Sequence, residues 1–147
     1  MTRLDMRRID HKGIYGVLKK ENSILLVRKS RGPYKGLFDF PGGRKEEGES
    51  DEEALVRELK EETGIVPIRW MFLDTFVYEC SYIHEGEKIE FHHRGNVFFI
   101  EQYDDQSSDL NIIYEDVHGC SWCSLESIEE CSPPVKLMRE KLKRFLG

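Results

Sequence analysis

Three glutamates, Glu58, Glu61 and Glu62, recur at spacings of three and four in a segment that reads as helix. At about 100° per residue they fall on one stripe, beside the apolar side formed by Leu55, Val56 and Leu59. Like charges at such spacings repel. Interleaved lysines would relieve this, but Lys60 lies on another side. A strip of hard oxygen donors suits Mg2+, with Mn2+ as a substitute. An ordinary solvated acidic face is the competing reading. Just upstream, Pro41-Gly42-Gly43 lets the backbone approach closely and turn a carbonyl toward the same strip.

The elements that must position these groups are legible around them. Ser50 is a good helix N-cap, Glu53 completes a capping box, and Gly64 is the natural stop after Thr63. Residues 13–19 and 23–29 are β-rich and read as a hairpin across Lys20-Glu21-Asn22. A loop over 30–36 and a short apolar strand over 37–40 lead into the glycines. Residues 68–83 and 88–103 read as a long hairpin turning at His84-Glu85-Gly86-Glu87. A strand over 118–125 is centred on Trp122, and a last helix starts at Pro133-Pro134. Its Val135, Leu137, Met138, Leu142, Phe145 and Leu146 read as core residues. Several strands with one central and one terminal helix predict an α/β fold, a mixed sheet packed between helices.

The 147 residues suffice for one domain with a real core, and no linker or repeat divides them. With 39% apolar and 34% charged residues, the chain is globular rather than disordered. A net charge of −6 argues against nucleic acid polymers and anionic membranes as partners, and a polyanionic substrate would need a local cation to offset it. No apolar run reaches the length of a membrane span. Residues 1–12 mix Arg3, Arg7 and Arg8 with Asp5 and Asp10 and resemble no secretory signal, so the expected location is cytoplasmic. Cys120 and Cys123 have the spacing of a metal or redox pair, which His118 and Cys131 could complete. In a strand, however, positions three apart face opposite ways, so the expectation is that they share no zinc.

From Gly43 to Ile65 the chain resembles the signature of the Nudix hydrolases: Gly43, then Glu49, then Arg57-Glu58-Leu59-Lys60-Glu61-Glu62-Thr63-Gly64-Ile65. Every fixed position is filled. The preceding Phe38-Asp39-Phe40-Pro41-Gly42 and the later Val97-Phe98-Phe99-Ile100-Glu101 and Trp122-Cys123-Ser124-Leu125 also resemble segments of MutT-like members. The resemblance implies a Nudix-type α/β/α sandwich and a magnesium-dependent hydrolase that cuts the phosphoanhydride of a nucleoside diphosphate linked to another group. It implies that Glu58, Glu61, Glu62 and the Gly42 carbonyl bind metal, with Glu101 as a further acid. Arg57 and Glu49 would pair and orient the helix carboxylates. Arg28 matches a phosphate-contacting arginine, though it also fits a solvated strand end. Glu58 is the favoured general base and Glu101 its competitor.

What the resemblance implies about substrate is broader. A nucleoside triphosphate is the first expectation, with a dinucleoside polyphosphate or nucleotide sugar as alternatives. Tyr82 lies near where dinucleoside-polyphosphate hydrolases carry a base-stacking tyrosine, or it packs within a sheet. Glu129 stands where a MutT-like enzyme has a base-reading asparagine, which argues against 8-oxo-dGTP specificity. A non-catalytic nucleotide sensor or an isomerase would not need the unbroken box. Monomer and homodimer are both open.

Overall fold

The structure is a computed structural model that describes residues 6–126 and 128–147. Arg3 and Asp5, part of the amino-terminal stretch considered above, lie outside the described residues. The chain runs β1 (Met6–Val17), β2 (Lys19–Lys20), β3 (Ser23–Lys29), β4 (Phe38–Asp39), β5 (Gly42–Arg44), α1 (Asp51–Thr63), β6 (Val66–His84), β7 (Glu87–Asp104), β8 (Ile113–Tyr114), β9 (Val117–Ser124) and α2 (Pro133–Leu146).

The strands divide into two sheets. One has the order β5-β1-β7-β6 and is mixed, because β1 runs parallel to β7. The other has the order β2-β3-β9-β8, with β4 pairing on β3. The two helices cover opposite faces. Ala54, Leu55 and Leu59 of α1 pack with Ile14, Leu25, Val27, Phe98, Ile100 and Cys120. Val135, Met138 and Leu142 of α2 pack with Tyr15, Val17, Ile24, Leu26 and Val97. Neighbouring residues of each strand thus enter different cores, as the two-residue period of a strand requires. The result is the expected α/β sandwich.

The acidic helix α1 forms as its sequence predicts. Ser50 Oγ accepts from Glu53 N at 3.1 Å, and Glu53 Oε1 accepts from Ser50 N at 2.9 Å. Gly64 ends the helix in the left-handed region, φ 74°. The long β6–β7 hairpin turns on Glu85 and Gly86, both at positive φ, the geometry of a tight two-residue turn. Cys120 and Cys123 enter opposite cores.

Two expectations need correction. Residues 13–19 do not form a simple hairpin with 23–29. The chain changes sheets at the fully buried Leu18. β1 pairs with β5 and β7, and only Lys19 and Lys20 pair back onto β3. Both faces of β1 and β3 are buried near this point, so no alternation marked the switch. On α2, Leu137 and Phe145 are 56% and 40% exposed rather than core. Leu137 falls off the stripe of Val135, Met138 and Leu142, and Phe145 rests against Phe99 at a centroid distance of 5.1 Å.

Candidate active site

A cleft opens beside α1, lined at its acidic end by Gly42, Gly43, Arg57, Glu58, Glu62 and Glu115. Arg57 organises this end. Its Nε and Nη2 donate to the two oxygens of Glu49 at 2.6 and 2.9 Å, a bidentate pair, and Nη2 also donates to the Arg44 carbonyl at 3.0 Å. Its Nη1 donates to Glu58 at 3.1 Å and to Glu61 at 3.3 Å. The hydrogen bond from Arg57 holds the Glu49 carboxyl down to about 2. The helix stripe is therefore not without a counter-charge: Arg57 offsets part of the repulsion at Glu58 and Glu61.

Glu62 is different. It is 3% exposed, and its Oε1 accepts from Gly42 N at 2.9 Å. Burial drives its pKa well up, and the nearby Glu58 adds to this. Burial also raises Glu58, to about 7, against the opposing pull of Arg57. A Cβ added at Gly43 would press on the Glu58 carboxylate at 3.0 Å, so the glycine leaves room for that group. Among the described residues, no three acidic, histidine or cysteine side chains already converge on a common ligating point. The donors are engaged instead by Arg57 and by Gly42 N. Yet two buried carboxylates kept costly by desolvation, with Glu61 and Glu115 beside them, form a donor set that suits a hard divalent cation.

The remaining predicted positions separate. Glu101 is not brought to the cleft. Ile100 faces α1, so Glu101 faces the other way, where it pairs with Arg69 at 3.9 Å. Glu115 approaches instead, lining the cleft with Glu58 and raising its pKa through like charge. It sits at positive φ, 51°, in the turn between β8 and β9, which aims it at α1. Arg28 is also turned away. It lies over the Phe38 ring at 4.2 Å and donates to the Gly36 carbonyl at 2.8 Å. The next residue, Lys29, enters the cleft and pairs with Asp116. Tyr82 does reach the cleft, edge-on to Phe91. Glu129 lies elsewhere, in a groove with Phe38 and Trp122 that contains none of the α1 carboxylates.

The cleft continues from the acidic end into a second part of about 580 Å3 between the sheets. Tyr34, Tyr82 and Phe91 supply aromatic walls, and Arg7, Lys29, Arg31 and Lys35 supply positive charge. Asp39, 3% exposed, closes the floor and accepts from Ser132 Oγ at 2.7 Å. Sequence reading missed Lys29, Glu115 and, apart from Tyr82, this aromatic part. Only strand parity, fixed by knowing which face meets α1, would have chosen Lys29 over Arg28.

Two expected results follow from this geometry. Glu115→Gln should lower kcat roughly tenfold or more, the scale of losing a group that holds a metal site together, while Glu101→Gln should leave it unchanged. The reverse ranking in steady-state rates would return the fourth acid to β7.

The second concerns pH. Burial lowers His11 to about 4 and His93 to about 3, so these favour folding as pH rises and are spent above about 6.5. Glu58 and Glu62 are raised, so the folded state holds protons the unfolded chain has released. Their stabilising contribution is present at low pH and lost as pH rises through their folded values. Above pH 6.5 the contribution of these two histidines fades, and the raised Glu58 and Glu62 outweigh it. The Tm in EDTA should therefore fall from pH 6.5 to 8, and saturating Mg2+ should remove the fall. Calorimetry showing a Tm that climbs to pH 8 without metal would contradict the assignment.

A family model described as NUDIX domain matches residues 9–145. The chain is 54% identical over 52 residues to an ADP-ribose pyrophosphatase of Methanocaldococcus jannaschii, covering 35% of this chain and 31% of that protein. It is 38% identical over 66 residues to an 8-oxo-dGTP diphosphatase of Escherichia coli, covering 44% and 51%. The matched stretches thus span a third to a half of these curated relatives. A MutT NUDIX hydrolase from Burkholderia pseudomallei shares the fold, with a TM-score of 0.72 at 23% identity over 91% of this chain and 98% of that one.

Proposed function

Because the chain belongs to the Nudix family, we propose that it is a metal-dependent hydrolase cutting the phosphoanhydride of a nucleoside diphosphate linked to another group. The observation that carries this reading is the gathering of Glu58, Glu62 and Glu115 at one end of a cleft whose other end is aromatic and basic, with Glu61 held beside them by Arg57. Bound Mg2+ would neutralise the diphosphate oxygens and lower the pKa of an attacking water. The protein groups that would hold it are Glu58, Glu61, Glu62, Glu115 and the Gly42 carbonyl. Arg57 and Glu49 fix the direction of the helix carboxylates. Glu58, whose carboxylate stands in the cleft beside the Gly42-Gly43 turn, is the favoured base. Lys29 replaces Arg28 as the cleft cation for a phosphate oxygen. The aromatic part receives the base.

The substrate favoured is a nucleoside triphosphate, cleaved to a monophosphate and pyrophosphate. Tyr82 at the cleft wall supports a second reading, in which a dinucleoside polyphosphate stacks one base there. A screen of phosphate and pyrophosphate release, with Mg2+, across nucleoside triphosphates, dinucleoside polyphosphates, nucleotide sugars and ADP-ribose decides between them. The highest kcat/KM should fall on a triphosphate. Turnover of dinucleoside polyphosphates alone would install the second reading, and no release from any of them would end both.

A further inference from the structure

Five side chains between the acidic helix and the aromatic part of the cleft are joined atom to atom. Arg44 Nε lies 2.9 Å from His11 Nδ1, and His11 Nε2 lies 3.2 Å from Tyr15 Oη. Tyr15 Oη lies 2.7 Å from His93 Nε2, and His93 Nδ1 lies 2.8 Å from Tyr34 Oη. The direction of every bond follows from the first. A guanidinium only donates, so His11 Nδ1 accepts. Burial, and then the Arg44 charge, keep this ring neutral, so its hydrogen is on Nε2 and goes to Tyr15. Among the described residues, Tyr15 Oη has no partner but the two histidines, so its own hydrogen goes to His93 Nε2. His93, also neutral by burial, then carries its hydrogen on Nδ1 and donates to Tyr34. The hydrogen left unspent is that of the Tyr34 hydroxyl, in the cleft wall.

The backbone makes room for this chain. Gly13 and Gly95 are register partners on β1 and β7. A Cβ at Gly13 would collide with the Tyr15 hydroxyl, and one at Gly95 with the rings of Phe76 and Tyr15. Tyr34 itself is 4% exposed, so it cannot turn freely to water.

We propose that Arg44, His11, Tyr15 and His93 form a one-way hydrogen-bond relay that holds the Tyr34 hydroxyl as a donor toward the substrate ring, so that the cleft selects bases with an oxo edge over bases with an amino edge. This rests on the nucleotide reading above. An oxo group accepts from that donor, whereas an amino group brings a second donor against it. Tyr34 is the specificity residue. Tyr15 and His93 are positioning residues, which act through it.

The test has two arms on the full chain. Long-range 15N–1H spectra of the ligand-free protein should show His11 with its hydrogen on Nε2 and His93 with its hydrogen on Nδ1. A His93 hydrogen on Nε2 overturns the relay whatever the protein binds. Calorimetric titration with inosine 5′-monophosphate and adenosine 5′-monophosphate, which differ in oxo against amino at C6 and in N1–H against bare N1 beside it, gives the second arm. Wild type should favour the inosine nucleotide roughly tenfold, the scale of one hydrogen bond and its unmatched counterpart. Tyr34→Phe, which keeps the ring, should abolish the preference. Tyr15→Phe should weaken it with Tyr34 still present, as the His93 tautomers mix. If nucleotides bind and are cleaved but Tyr34→Phe keeps the preference, the relay proposal fails alone. If neither nucleotide binds the wild type and the screen above finds no nucleotide cleaved, the functional reading fails and the oxo selection with it.

Discussion

Replacing Glu62 by Gln should make the metal-free protein more stable while nearly abolishing its activity. The Glu62 carboxylate is 3% exposed and, among the described residues, has one hydrogen bond, from Gly42 N. Holding it charged at pH 8 costs stability, because burial favours its proton. A glutamine oxygen keeps the Gly42 contact and removes the charge. The Tm in EDTA at pH 8 should rise, and the gain from added Mg2+ should shrink, since ligand-linked stability depends on the site that binds. Activity should move the other way. Lewis-acid stabilisation of a phosphoryl transition state is several kcal/mol, so kcat should fall at least about 100-fold. Glu58→Gln should lose activity on the same scale. Its gain in stability should be smaller, because Arg57 Nη1 at 3.1 Å already offsets part of the Glu58 charge. Glu52, exposed in the first turn, is the control and its Gln variant should remain active. A structural acidic face would show stability changing with no matched loss of rate.

The second large effect is expected at Arg57. Arg57→Lys keeps the charge but cannot reproduce the planar fork that grips Glu49 and the Arg44 carbonyl while reaching Glu58 and Glu61. The carboxylates would remain, with their directions no longer fixed. The expected outcome is a kcat lower by roughly 10–100-fold, the range for groups that orient metal ligands, and a higher Mg2+ concentration for half-maximal rate. The substrate KM should change less, because Arg57 contributes to the acidic end and not to the aromatic part of the cleft. If kcat and the Mg2+ requirement are both unchanged in Arg57→Lys, the guanidinium is a surface ion pair and does not position the site.

What could be read from the sequence, and what could not, divides by range. The capping box of Ser50 and Glu53, the Gly64 stop and the Glu85-Gly86 turn are decided within a few residues, and each forms as its local chemistry demands. The gathering of Glu58, Glu61 and Glu62 follows from helix period alone. Parity on strands was not readable. Arg28 and Lys29 differ by one position, as do Ile100 and Glu101, and a buried strand with apolar residues on both faces does not say which face is which. The sheet switch at Leu18 escaped for the same reason. Glu115 depends on a turn of the chain at positive φ, which nothing in Tyr114-Glu115-Asp116 announces. The relay is harder still, because Tyr15 and His93 are 78 residues apart and meet only through the parallel pairing of β1 with β7.

The central claim is that the α1 carboxylates act through a divalent cation to cut a phosphoanhydride. It is tested most directly by the rate at which purified protein releases pyrophosphate from nucleoside triphosphates, in excess EDTA and after Mg2+ is restored. The account predicts cleavage that is absent in EDTA and returns with Mg2+ in the wild type, with little return in Glu62→Gln. Equal rates in EDTA and in Mg2+, or a full return of activity in Glu62→Gln, would contradict it.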